Sequence, residues 1–157
     1  MKAATVTVIK KELNHRSEDE LIQLCLRLSK FKKENKELLT YLLFESDHEE
    51  GYIDTVKTEM DNQFKIINTN NYYYIKKSVR KILRETKKYI RYSGNKETEV
   101  ILLLYFCKKL QNLKPSISRN TTLQNLYNRQ LEYLSKKISL LHEDLQLDYV
   151  NELEELV

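Results

Sequence analysis

YYYIKKSVRKILRETKKYIRY, residues 72–92, is the stretch from which the fold of this 157-residue chain is read. At about 100° per residue, Ile75, Val79, Ile82, Leu83, Thr86, Tyr89 and Ile90 gather on one side of a helix. Lys76, Lys77, Arg80, Arg84, Lys87, Lys88 and Arg91 gather on the other, with Lys81 at the edge and Glu85 the one acid. A dry stripe facing away from an almost purely basic wet side is an amphipathic helix. Asn70 or Asn71 can cap its start, and Gly94 can end it by taking the left-handed conformation.

Just beyond lies Val100–Cys107, eight apolar residues and the longest such run in the chain. It falls far short of the roughly 20 residues that span a bilayer, so it predicts a fully buried helix packed antiparallel beside the basic one. Two glycines and one proline in the whole sequence leave too little punctuation for sheets and long loops. The expectation is one all-α domain over residues 1–157, a bundle of six or seven helices around a central buried helix. Stacked helical hairpins in a solenoid-like arrangement are the alternative. Residues 1–16 read as a partly frayed start with a short helix, and 148–157 as an acidic coda.

Ser17 with Glu20 makes a capping box. After it, 17–45 reads either as one long helix or as a hairpin turning near 31–34. Asp47 with Glu50 marks the next helix start, and Asn95 the start of the apolar helix. A chain of this length buries roughly 68–70% of its unfolded surface and needs no disulfide or metal to fold. Cys25 and Cys107 both sit among apolar neighbours and read as buried free thiols. No signal-peptide core is present, so the expected setting is cytoplasmic, away from membranes.

The run from Phe31 to Leu43, with the wording at Tyr92, Ser93 and Gly94 and at His142, Glu143, Asp144 and Leu145, resembles a family of uncharacterised all-helical bacterial proteins. That likeness implies an all-α fold. It carries no known activity and no functional residues to transfer.

Charge is the most informative electrostatic feature. The formal net charge is only +4, yet residues 72–92 hold eight bases and one acid, residues 45–61 seven acids and one base, and residues 143–155 six acids and no base. The basic face therefore either attracts an outside polyanion or lies against the chain's own acids. For nucleic acid the candidate residues are Tyr73, Lys77, Arg80, Arg84, Lys88 and Arg91, with the Tyr73 ring placed to stack on a base. Such binding would hold the backbone without reading sequence. The first expectation, however, is a non-catalytic helical interaction or adaptor module with a protein partner, or one that self-associates. Tyr127, Leu131, Leu134, Ile138, Leu141 and Leu145 step by four and three, which is a heptad seam serving either the bundle's own packing or a second copy.

Metal chemistry finds weaker material. Glu12 with His15 and Glu45 with His48 have the i, i+3 spacing of di-metal bundles, but both pairs lie at helix ends, and His142 stands in a polar turn. No phosphate-cradling glycine loop, nucleophile elbow or paired cysteine motif occurs. No metal, no cofactor and no catalytic residue is assigned, and the expectation leans away from an enzyme.

Overall fold

The computed structural model describes all 157 residues, as eight α-helices with no strand. The sequence reading expected six or seven helices. The additional ones come from breaks at Lys32, where the sequence leaves one helix or a hairpin open, and at 139–142, where the spacing from Tyr127 to Leu145 predicts one long helix. No helix is long and apolar enough to cross a membrane. The chain divides into two compact units, Met1–Phe44 and Glu45–Val157.

The first unit holds α1 (Val6–Leu13), α2 (Glu18–Phe31) and α3 (Lys33–Thr40), followed by a π turn at Tyr41–Glu45. Thr5 caps α1 by accepting from Val8 N. Ser17 and Glu20 form the capping box, with Ser17 N donating to Glu20 Oε2 at 2.8 Å and Glu20 N to Ser17 Oγ at 3.2 Å. Between α2 and α3, Lys32 is extended (φ −141°, ψ 149°), so residues 17–45 do not form one helix. The break leaves carbonyls at the end of α2 without intrahelical donors, and Asn35 Nδ2 reaches back to the Leu28 carbonyl at 2.9 Å. Among residues 1–44 only Ser29 and Tyr41 are buried. Thirteen large apolar side chains of α1 to α3 and the π turn, Met1 aside, stand exposed.

The second unit holds α4 (Glu49–Lys65), α5 (Tyr72–Ser93), α6 (Lys96–Gln111), α7 (Thr121–Ile138) and α8 (Glu143–Glu154), with a 3-10 turn at Ile117–Arg119. Helix α4 starts at Glu49 with His48 at its cap, one residue later than a cap at Asp47 would set it. Asn71 caps α5 by accepting from Tyr74 N at 3.2 Å. Gly94 closes it at φ +66°, a conformation in which a Cβ would crowd the following carbonyl. Asn95 Oδ1 then accepts from Glu97 N and Thr98 N to start α6.

Nearly all of the apolar core lies in this unit. Ile75, Val79, Ile82, Leu83, Thr86 and Ile90 of α5 are buried, as the wheel predicts. In α6, Val100, Leu102, Leu103, Leu104, Phe106 and Cys107 are buried, but Ile101 and Tyr105 are only half-buried. The run is therefore not sealed all round: the side carrying Ile101 and Tyr105 reaches solvent. Helix α6 packs against α4, α5, α7 and α8, and the Phe64 and Phe106 rings meet at 5.9 Å, tilted by 53°. The thiols differ from expectation. Cys107 is buried and its thiol is pushed up to about 12 by that burial, whereas Cys25 is exposed on α2.

Candidate polyanion-binding face

Helix α5 owes its position to its dry side, which is locked into the core, and this fixes where its cations point. Lys77, Arg80, Arg84 and Arg91 are exposed, and Lys76 and Lys88 half-buried. None of Lys77, Arg80, Arg84 or Arg91 forms an ion pair with a carboxylate of the chain. Lys81 stands 4.0 Å from Glu85, one turn along the same helix. Glu85 is also held by the Gln63 amide. At the start of the helix Tyr73 is 66% exposed, its ring meeting that of Tyr74 edge-on at 5.4 Å. Tyr73, Lys76, Lys77, Arg80, Lys81 and Arg84 line a shallow recess of about 600 Å³. Tyr72, by contrast, turns inward and donates to the Ser116 carbonyl at 2.9 Å.

Acids of α4 and α6 are engaged with partners on neighbouring helices. Asp61 accepts from Tyr105 Oη at 2.8 and 2.9 Å and from Lys109 Nζ at 2.8 Å. Burial alone would push its carboxyl up, but the hydrogen bonds from Lys109 and Tyr105, with the Lys109 charge, hold it below its ordinary value. The same pattern recurs one helix on. Glu99 accepts from Tyr133 Oη at 2.6 Å and from Lys137 Nζ at 3.0 Å. In both, a tyrosine and a lysine four residues apart on one helix grip an acid on its neighbour. A further lysine lies over each ring, Lys57 at 5.3 Å from Tyr105 and Lys87 at 5.6 Å from Tyr133. Tyr149 Oη donates to Glu97 at 2.6 Å, and Glu49 accepts from Ser93 Oγ and from Thr98 Oγ1. These clusters clamp helices together. They were not foreseen, and their only sequence signal is the spacing of Tyr105 with Lys109 and of Tyr133 with Lys137.

The six heptad positions are divided between two helices and the turn that joins them. Tyr127, Leu131, Leu134 and Ile138 belong to α7, Leu141 to the turn and Leu145 to α8. In the turn after α7, the Ser139 and Leu141 carbonyls accept from Gln146 Nε2, at 3.3 and 2.8 Å. Tyr127, Leu134 and Ile138 are buried within the unit, and Leu131, Leu141 and Leu145 half-buried. Tyr127 Oη donates to the Leu156 carbonyl at 2.8 Å.

No three or more histidine, cysteine or acidic side chains converge as a metal ligand set would. His15 follows the end of α1, His48 begins α4, and His142 Nδ1 accepts from Asp144 N at 3.3 Å as the cap of α8. No protein-family model, curated protein or solved structure matches the chain.

Proposed function

We propose that this chain is a non-catalytic binding module that holds a nucleic acid by its phosphate backbone, without base sequence preference, on the basic side of α5. One observation carries the reading: Lys77, Arg80, Arg84 and Arg91 are exposed and have no carboxylate partner. Unpaired cations in a row are what a phosphate chain neutralises with release of counterions. From Tyr73 to Arg91 the stripe is about 27 Å long at 1.5 Å per residue, and the exposed Tyr73 ring offers one end of it for stacking. We read α6 as the axis of residues 45–157, with the other helices packed about it and α5 therefore turning its cations outward. Kinship with the all-helical bacterial proteins that the Phe31–Leu43 run resembles belongs to this reading and adds no activity to it.

The test is a charge reversal. Arg80→Glu, Arg84→Glu and Lys88→Glu together should abolish binding to DNA and RNA oligonucleotides at low salt while the far-ultraviolet circular dichroism stays helical. Unchanged affinity in the folded variant would remove the face from the account. An adaptor role toward protein is the second reading, favoured by the exposed apolar side chains of residues 1–44.

A further inference from the structure

Basic charge is not confined to α5. Lys65 stands in the last turn of α4, and Lys108 and Lys109 in the last turn of α6. The two helices pack together. Their ends open on one recess of about 560 Å³, whose wall holds Lys65, Lys108, Lys109 and Lys114 beside Phe64 and Tyr105. Lys114 comes from the connection to α7, which is pinned on either side of it. Asn112 Nδ2 donates to the Lys108 carbonyl at 2.8 Å, and the Ser116 carbonyl accepts from Tyr72 Oη at 2.9 Å. Four lysines from three segments thus share one site, and no acid lines it.

Lysine at a helix end ordinarily serves the helix itself, because each C-terminus carries about half a negative charge. That use accounts for only part of the charge here. The two helix ends together offset about one of the four cations, and Asp61, 2.8 Å from Lys109 Nζ, offsets a second. Lys65, Lys108 and Lys114 are exposed and form no ion pair. Glu152 and Glu155 line the next groove, which Lys57 and Lys108 also line, but neither acid comes within ion-pair distance of Lys108. A cleft walled by one sign of charge concentrates counter-ions of the other.

We propose that this recess binds a compact oligophosphate, the group shared by an inorganic polyphosphate and a nucleoside triphosphate. Its volume lies within the roughly 300–1,000 Å³ of small-ligand sites. Lysine meets phosphate as a point charge on a flexible stem, so four from separate segments can close on one multivalent anion. Lys109 takes part as well, since its ammonium has two N–H donors beyond the one given to Asp61. Convergence also separates this site from α5, whose cations run in line along a single helix and none of which belongs to the recess.

The experiment is calorimetric titration of the full chain with sodium tripolyphosphate at low ionic strength, where exposed charges are least screened. It is run on the wild type and on the Arg80→Glu, Arg84→Glu, Lys88→Glu variant, in which α5 repels anions. One tripolyphosphate should bind that variant, and more weakly as salt is added. In the same background Lys65→Gln, Lys108→Gln and Lys114→Gln should each weaken binding about two- to fivefold. Together they should weaken it at least tenfold with the helical circular dichroism retained. ATP binding no tighter than tripolyphosphate marks the phosphate chain as the occupant, and tighter binding marks a nucleotide; either supports the site. In the wild type, tripolyphosphate should slow acetylation of Lys65, Lys108 and Lys114 but not of the exposed Lys10 and Lys136. This footprint holds even where the charge reversal disturbs α5. No binding at ~1 mM tripolyphosphate, weaker than almost any specific complex, would overturn the inference, as would unchanged affinity in the triple Lys→Gln variant. Protection confined to the lysines of α5 would also overturn it, while leaving α5 as a phosphate-binding face.

Discussion

Replacing Asp61 with alanine removes the acid that joins α4 to α6, and its cost can be worked from the contacts. The carboxylate takes a hydroxyl from Tyr105, at 2.8 and 2.9 Å to its two oxygens, and Lys109 Nζ at 2.8 Å. Hydrogen bonds to charged groups contribute about 1.5–3 kcal/mol. However, the Lys109 and Asp61 side chains are 33% and 31% exposed, so water replaces part of what is lost. Ion pairs at such exposure are worth only about 0.2–1 kcal/mol. Asp61→Ala is therefore expected to destabilise the chain by about 1–2 kcal/mol. In double-mutant cycles by urea unfolding, Asp61→Ala with Tyr105→Phe should show coupling of about 1 kcal/mol, and with Lys109→Met about 0.5 kcal/mol. The pH dependence has a definite sign. The folded carboxyl is held below its ordinary value, so its contribution is present above pH ~4 and lost as pH falls through the depressed value. Couplings within about 0.3 kcal/mol of zero in both cycles would refute the clamp.

The tyrosines report from the alkaline side. Burial, seconded in Tyr105 by the Asp61 bond, pushes Tyr105 and Tyr127 up to about 12, and Tyr133 and Tyr149 are raised as well. A raised folded value means stability fully present below the unfolded value near 10 and lost as pH climbs through the folded one. Tyrosinate absorbance should thus show Tyr105, Tyr127, Tyr133 and Tyr149 ionising late, with unfolding between about pH 10 and 12; a single phase at the ordinary value would contradict this. Phe106→Ala removes a fully buried ring that meets Phe64, and denaturant titration should find a loss of about 3–5 kcal/mol.

Local chemistry was legible in the sequence wherever it decides structure by itself. The α5 wheel, the Ser17, Asn71 and Asn95 caps and the Gly94 stop are each set by residues within one or two turns, and all appear in the structure. The break at Lys32 and the stop at Ile138 were open or missed because no proline or glycine marks them. Asn35 and Gln146 reach back for carbonyls there, and an unbroken helix at those places has nearly the same pattern. Cys25 was misread because apolar neighbours do not reveal whether anything covers the helix they sit on. The candidate binding residues Lys77, Arg80 and Arg84 were visible as a basic stripe, but their freedom from acid partners was not. Nor was it legible that Asp61, Glu97 and Glu99 are taken by Tyr105, Tyr149 and Tyr133, pairings 34 to 52 residues apart along the chain.

The most direct measurement is the salt dependence of binding to a short DNA duplex and to its single strands. With Lys77, Arg80, Arg84 and Arg91 along one face, log affinity against log salt should fall with a slope of about −2.7 to −3.6 for duplex and more shallowly for single strands. Affinity should not change when the base sequence is scrambled. A slope near zero, or no complex even at low ionic strength, would contradict the assignment of α5 as a phosphate-binding face.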